Sequence, residues 1–122
     1  VLEIQCTLAS AKNVARIQQV AEAFPALKLV LNHAGLVKPD NFSQWQAGMR
    51  QLALLPNVAM KLSGWELLNA GRYSTAEPIW QGSYLQLWQR YYQLLTNLGL
   101  SRTGWQQLSA GTASAWYRLS TI

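Results

Sequence analysis

Apolar positions recur along this chain with two distinct periods, and the changes of period mark out its elements. Val1-Leu2-Glu3-Ile4-Gln5-Cys6 mixes β-branched and apolar residues with polar ones in alternation, as a strand does. Val14, Ile17, Val20, Ala21 and Phe24 then recur at helical spacing, and Ser10 is placed to cap a helix from Ala11 to Ala23 that Pro25 stops. Lys28 to Asn32 is a short, nearly continuous apolar run, the pattern of a strand buried on both faces. Asn41 or Ser43 can cap a second helix with Trp45, Met49, Leu52 and Leu55 on one side, ended by Pro56-Asn57. Val58 to Leu62 reads as a third strand, closed by a turn at Ser63-Gly64. Strand, helix, strand, helix, strand with short connections predicts βαβ units on a parallel sheet.

The second half carries only helical signals. Residues 65–81 hold Gly71 and Pro78 without a sustained period and read as irregular, with a helical turn at 65–69. From Ser83 onward, Tyr84, Leu87, Trp88, Tyr91, Leu94, Leu95 and Leu98 share one helical face, and Gly99 is a natural stop. Ser101 is placed to cap a short helix containing Trp105 and Leu108, and Thr112 a last one with Trp116, Tyr117 and Leu119. The expected class is α/β, about three parallel strands followed by a helical C-terminal part. The expected domain is a single partial one, with its βαβαβ core in residues 1–64 and its helices in 82–122. Three strands under about five helices would make a small, poorly closed core.

Composition sharpens this picture. The 122 residues suffice for one domain; half are hydrophobic and only 12% are charged, against about a quarter in ordinary soluble domains. With six Trp, this predicts a surface that packs against something else. The net charge of +5 comes from basic residues spread singly, so the stripe that marks a nucleic-acid binder is missing. The single cysteine, Cys6, excludes an internal disulfide and a cysteine-built zinc site, and its apolar setting predicts a buried, inert thiol. No run approaches the roughly 18 apolar residues of a membrane span, and the opening residues lack a signal-peptide pattern. A cytoplasmic protein without membrane partners is expected. The chain opens at Val1 within a strand pattern, which reads as a fragment of something longer.

Candidate chemistry gathers at the end of the second strand. His33, the one histidine of the sequence, follows the apolar run directly, where parallel sheets deliver ligands and catalysts. On the residues alone two roles are open to it: acid, base or metal ligand, or a structural imidazole hydrogen-bonded near the sheet end. Gln5 and Ser63, at the ends of the neighbouring strands, are poor metal ligands but serviceable hydrogen-bonding groups for a polar substrate. Asn32 should point to the opposite side of its strand. Glu66 could serve as ligand or base, or as an exposed glutamate at a helix start. Lys61 is expected to pair with a carboxylate, and Trp88, Tyr91 and Tyr92 to pack helices. Nucleotide-binding glycine loops, the zincin H-E-x-x-H and the hydrolase G-x-S-x-G are all missing.

Three pieces together resemble one family. Leu31-Asn32-His33-Ala34-Gly35 resembles the L-x-H-x-G strand end of the amidohydrolase-related, metal-dependent hydrolases. Trp45, Met49, Leu52-Ala53, Pro56-Asn57-Val58 and Lys61-Leu62-Ser63-Gly64 keep the spacing of that family's W-x-x-x-M-x-x-L-A-x-x-P-N-V-x-x-K-L-S-G. Gly82-Ser83-Tyr84 to Trp88, and Gly111-Thr112-Ala113 to Leu119, are similar to its closing helices. The resemblance implies a (β/α)8 TIM barrel with a divalent metal, zinc or manganese in the full-length family, at the carboxyl ends of the strands. Ile4-Gln5 is similar to the corresponding pair of the sugar-lactonase branch, which implies a lactone or other cyclic ester or amide as small-molecule substrate. In that reading His33 is catalytic and a metal ligand, and Gln5 and Ser63 bind substrate.

The chain departs from the family at two places. The H-x-H pair of the family's first strand is missing, and so is the aspartate of its last strand, with the stretch between Gly64 and Gly82 shortened. The chain therefore resembles the C-terminal half of such an enzyme with an internal deletion. Two outcomes are expected from this: a piece of a metal-dependent hydrolase that by itself lacks activity, or a catalytically inactive remnant serving as a binding or oligomerising domain. In the second case a further copy would cover the exposed sheet edge.

Overall fold

The computed structural model describes residues 1–63 and 84–119. The chain divides into two compact units, Val1–Ile79 and Trp80–Ile122. In the first, three short strands, β1 (Leu2–Ile4), β2 (Leu29–Leu31) and β3 (Val58–Met60), alternate with two helices, α1 (Ala11–Ala23) and α2 (Phe42–Leu52). The strands lie parallel in the order β1-β2-β3. Their register pairs Ile4 with Leu31 and Leu31 with Met60, and likewise Glu3 with Val30 and Val30 with Ala59.

The alternation of the strands sorts these rows onto two faces. Leu29, Leu31, Ile4, Val58 and Met60 meet Val14, Ile17 and Ala21 of α1 and Leu52 of α2 in one core. Glu3, Val30 and Ala59 lie on the opposite face. β2 is buried along its whole length, as its apolar run predicts, and the helix carried between each pair of strands is the crossover that parallel pairing needs.

Helix α1 has the bounds its sequence predicts. Ser10 accepts the Asn13 N–H at its start, and Pro25 cannot continue it. Its buried stripe is narrower than expected, because Val20 and Phe24 are 36% and 60% exposed. The helix's last turn is completed from the start of β3. Pro25 has no N–H to give the Ala21 carbonyl four residues back, and the buried Asn57 side chain supplies that donor at 3.0 Å. The same Nδ2 reaches the Leu27 carbonyl at 3.0 Å and the Phe24 carbonyl at 3.3 Å. One amide thus ties the end of α1 and the approach to β2 to the start of β3.

Leu8 is the other fixed point of the first unit. It is 1% exposed and wedged against two glycines: a Cβ on Gly35 would lie 2.5 Å from Leu8 Cγ, and one on Gly48 would strike the Leu8 carbonyl oxygen. Gly48 is what lets α2 approach this closely. α2 begins at Phe42. Asn41 occupies its cap position without bonding the helix, since its side chain accepts the Lys38 N–H across a preceding 3₁₀ turn, and Ser43 lies inside the helix.

In the second unit, α3 (Tyr84–Thr96) leads to Gly99, which takes the left-handed conformation expected of a stop. α4 (Arg102–Gln106) starts at Ser101, whose hydroxyl accepts the Gly104 N–H at 3.1 Å. The expected break before Thr112 does not occur. A π-helical stretch, Gln107–Gly111, carries the backbone straight into α5 (Thr112–Tyr117), and Thr112 itself has helical φ and ψ, so it caps nothing. Tyr92 and Trp105 are in ring contact with centroids 5.6 Å apart. The irregular segment expected at 65–81, with Glu66, lies outside the described residues.

Candidate functional site at the carboxyl end of the sheet

The chain leaves β2 in an unusual way. His33, Ala34, Gly35 and Leu36 all have positive φ, between 50 and 65°, so the strand end passes into a left-handed turn. Three of the four are not glycine, and each costs about 1–2 kcal/mol relative to the right-handed form. The turn is held from several sides. The Ala34 N–H donates to the Lys61 carbonyl at 2.9 Å, and the Leu8 N–H to the Gly35 carbonyl at 3.0 Å. The Trp45 indole N–H donates to the Ala34 carbonyl at 2.7 Å, with Phe42 stacked on the Trp45 ring. Strain of this kind collects at functional sites, and here it surrounds the one histidine.

The His33 ring is met by Ser63. Its Nδ1 lies 3.2 Å from Ser63 Oγ, and both residues are partly exposed. The segment leaving β3 therefore holds His33 twice, through the Lys61 carbonyl on the turn's backbone and through Ser63 on the ring. Gln5, the other expected neighbour, is exposed just beyond the end of β1, and among the described residues no hydrogen bond joins it to His33. The structure thus brings together two of the three expected residues.

A second polar cluster occupies the face opposite the helices. Lys61 Nζ lies 2.6 Å from Glu3 Oε1, reaching across β2, and Asn32 Nδ2 donates to Glu3 Oε2 at 3.2 Å. Lys61 thereby has the carboxylate partner expected of it. The remaining Asn32 oxygen is buried and has no partner among the described residues. Beyond its place in the typed motif, nothing in the sequence marks Trp45 as an anchor of the histidine turn. Cys6 packs against the core, and burial pushes its thiol above the ordinary cysteine value, in keeping with an inert thiol.

A histidine at the carboxyl end of a parallel strand, met by a serine that follows the next strand, stands where α/β sheets present their ligands. The chain belongs to the amidohydrolase family: a family model described as amidohydrolase matches residues 4–105. It is also 42% identical over 64 residues to the uncharacterized protein y4mH of Sinorhizobium fredii (strain NBRC 101917 / NGR234). That match covers half of this chain and a fifth of the relative's length. No solved structure matches significantly.

Amidohydrolases generally use divalent metals. A catalytic metal site needs about three protein ligands and an open position. Among the described residues no three His, Cys, Asp or Glu side chains come close enough to hold an ion, and Gln5 and Ser63 offer only weak oxygen donors. His33 has the right chemistry for one ligand, but the described residues do not complete a site. Among them, no helix is long and apolar enough to cross a membrane.

Proposed function

We propose that this chain is part of a metal-dependent TIM-barrel hydrolase that opens a lactone or another cyclic ester or amide, with His33 as a histidine of its reaction site. The observation that carries the reading is the placing of His33: a strained strand-end turn, fixed by Lys61, Leu8 and Trp45, presents an imidazole whose Nδ1 is met by Ser63. In such enzymes a bound zinc or manganese ion lowers the pKa of water and polarises the carbonyl. The further ligands would come from outside the described residues. This chain's own residues orient. His33 faces the reacting centre, and Ser63 and Gln5 offer hydrogen bonds to substrate oxygens on either side of it. The family motif, with Lys61-Leu62-Ser63 ending one strand and His33 the one before it, supports this arrangement.

The test is metal content and lactone hydrolysis of the longer enzyme of which this chain is part, loaded with zinc or manganese, with and without His33→Ala. The substitution should abolish stoichiometric metal retention and any turnover. Metal bound equally tightly by both proteins would refute the assignment of His33. Turnover of cyclic esters that ignores the substitution would refute the reaction.

A further inference from the structure

We propose that Glu3 is a positioning residue for His33: its carboxylate gathers Asn32 and Lys61, the two residues from which the histidine turn hangs. The proposal rests on reading His33 as a site histidine and adds to it what holds that histidine from the face opposite the helices. Glu3 Oε1 lies 2.6 Å from Lys61 Nζ, and Glu3 Oε2 accepts the Asn32 Nδ2–H at 3.2 Å. Each oxygen thus has its own donor. Chemistry fixes the roles, since an ionised carboxylate only accepts and an ammonium only donates, and the Asn32 amide turns its nitrogen to Glu3 for the same reason.

Both gathered residues carry the turn on their backbones. Asn32 directly precedes His33, and its carbonyl accepts the Gly35 N–H at 3.1 Å; the Lys61 carbonyl accepts the Ala34 N–H at 2.9 Å. Continuing the register of Leu31 with Met60 sets Asn32 beside Lys61 at the carboxyl ends of β2 and β3. Glu3 stands two strand spacings from Lys61, roughly 10 Å, and spans β2 to reach it. The turn is uphill at each of its three non-glycine residues, so it persists only while its anchors are held together. The Lys61 and Glu3 side chains are 41% and 39% exposed, and exposed ion pairs add little to global stability. Removing Glu3 therefore loosens the turn without loosening the core, which separates positioning from a general structural role.

Amide hydrogen exchange of the full chain, read residue by residue by NMR, tests this. Glu3→Ala should speed exchange at Ala34 and Gly35 about fivefold, the worth of one net hydrogen bond. It should leave Leu29 of β2 and Val14 of α1, bonded to the Asn57 and Ser10 carbonyls, unchanged. The Overhauser contact between Ser63 and the imidazole, the one such ring in the sequence, should weaken in the same variant. Glu3→Lys alone should act likewise. Glu3→Lys combined with Lys61→Glu should restore both readouts, because the ion pair is remade and Asn32 can turn its amide oxygen to the new ammonium. Exchange at Ala34 and Gly35 that Glu3→Ala leaves as it was overturns the proposal, as does a rise shared by Leu29 and Val14. A double variant no better than Glu3→Lys alone overturns it too, and the two charge variants decide should Glu3→Ala fold poorly. Failure here with His33-dependent metal retention intact in the longer enzyme would sink only the positioning role. The expected exchange pattern with metal and turnover indifferent to His33→Ala would sink only the function.

Discussion

Asn57→Asp should destabilise the first unit more than Asn57→Ala does, and the difference should depend on pH. The asparagine is 8% exposed, and its Nδ2 serves the carbonyls of Ala21, Phe24 and Leu27. The Phe24 carbonyl also receives the Leu27 N–H at 2.9 Å, so its loss matters least. The Ala21 carbonyl depends on Asn57, because Pro25 stands where the helical donor would be. Each buried carbonyl left unmatched costs about 1–3 kcal/mol. With two good bonds lost and partial access of water, Asn57→Ala should cost about 2–3 kcal/mol. Aspartate removes the same donors and sets a carboxylate against the three carbonyl oxygens, which should cost at least about 1 kcal/mol more.

The sign with pH follows from burial. A carboxyl held among carbonyls has its folded pKa raised, so the native state binds the extra proton. The Asn57→Asp variant therefore keeps its stability at low pH and loses it as pH rises from the unfolded value through the raised folded one, opposite to an ion-paired aspartate. Urea unfolding followed by far-ultraviolet circular dichroism, at neutral and mildly acidic pH, measures both effects. An alanine variant within about 0.5 kcal/mol of wild type, or an aspartate variant as stable as alanine at neutral pH, would refute the reasoning.

Two further outcomes are expected. Gly48→Ala should lower the urea midpoint by the equivalent of up to about 2 kcal/mol. The gain of about 1 kcal/mol in helix propensity is outweighed by a Cβ forced against the Leu8 carbonyl and to 2.8 Å from Val14 Cγ2, in the overpacking range of about 1–3 kcal/mol; a raised midpoint would sink this. Cys6 should react with iodoacetamide more slowly in the native chain than in urea at mildly alkaline pH, because burial raises its thiol pKa. Equal rates would show that the thiol is not shielded.

Much of the first unit is legible in the sequence because its signals are local. Ser10 and Pro25 mark both ends of α1, and the apolar run ending at Asn32 marks β2. A helix between each strand and the next gives the crossover that a parallel pair requires. His33 and Ser63 are legible as neighbours for the same reason, each lying just past a paired strand. What escaped the reading depends on contacts between distant residues. Nothing near Lys61 specifies Glu3 as its partner, and nothing near Trp45 says that its indole N–H will hold the Ala34 carbonyl. Gly35 announces one left-handed residue but not the three non-glycine ones around it. At Thr112 the capping signal lost to continuity: the π-helical stretch absorbs Gly111 without a break, so the hydroxyl has no helix end to cap.

The left-handed turn at residues 33–36 also bears on the order in which the protein assembles. Taken alone it is uphill, and its supports come from Leu8, Trp45 and Lys61, which lie in three different parts of the chain. Helix α1, with its own cap and apolar stripe, can form early, whereas this turn must wait for β3 to dock beside β2. A stretch cut out around His33 would relax into ordinary right-handed or extended backbone. The geometry around the histidine therefore depends on β3 being docked, so a variant that loosens β3 should scatter the ring while the helices still give a native-like dichroism spectrum.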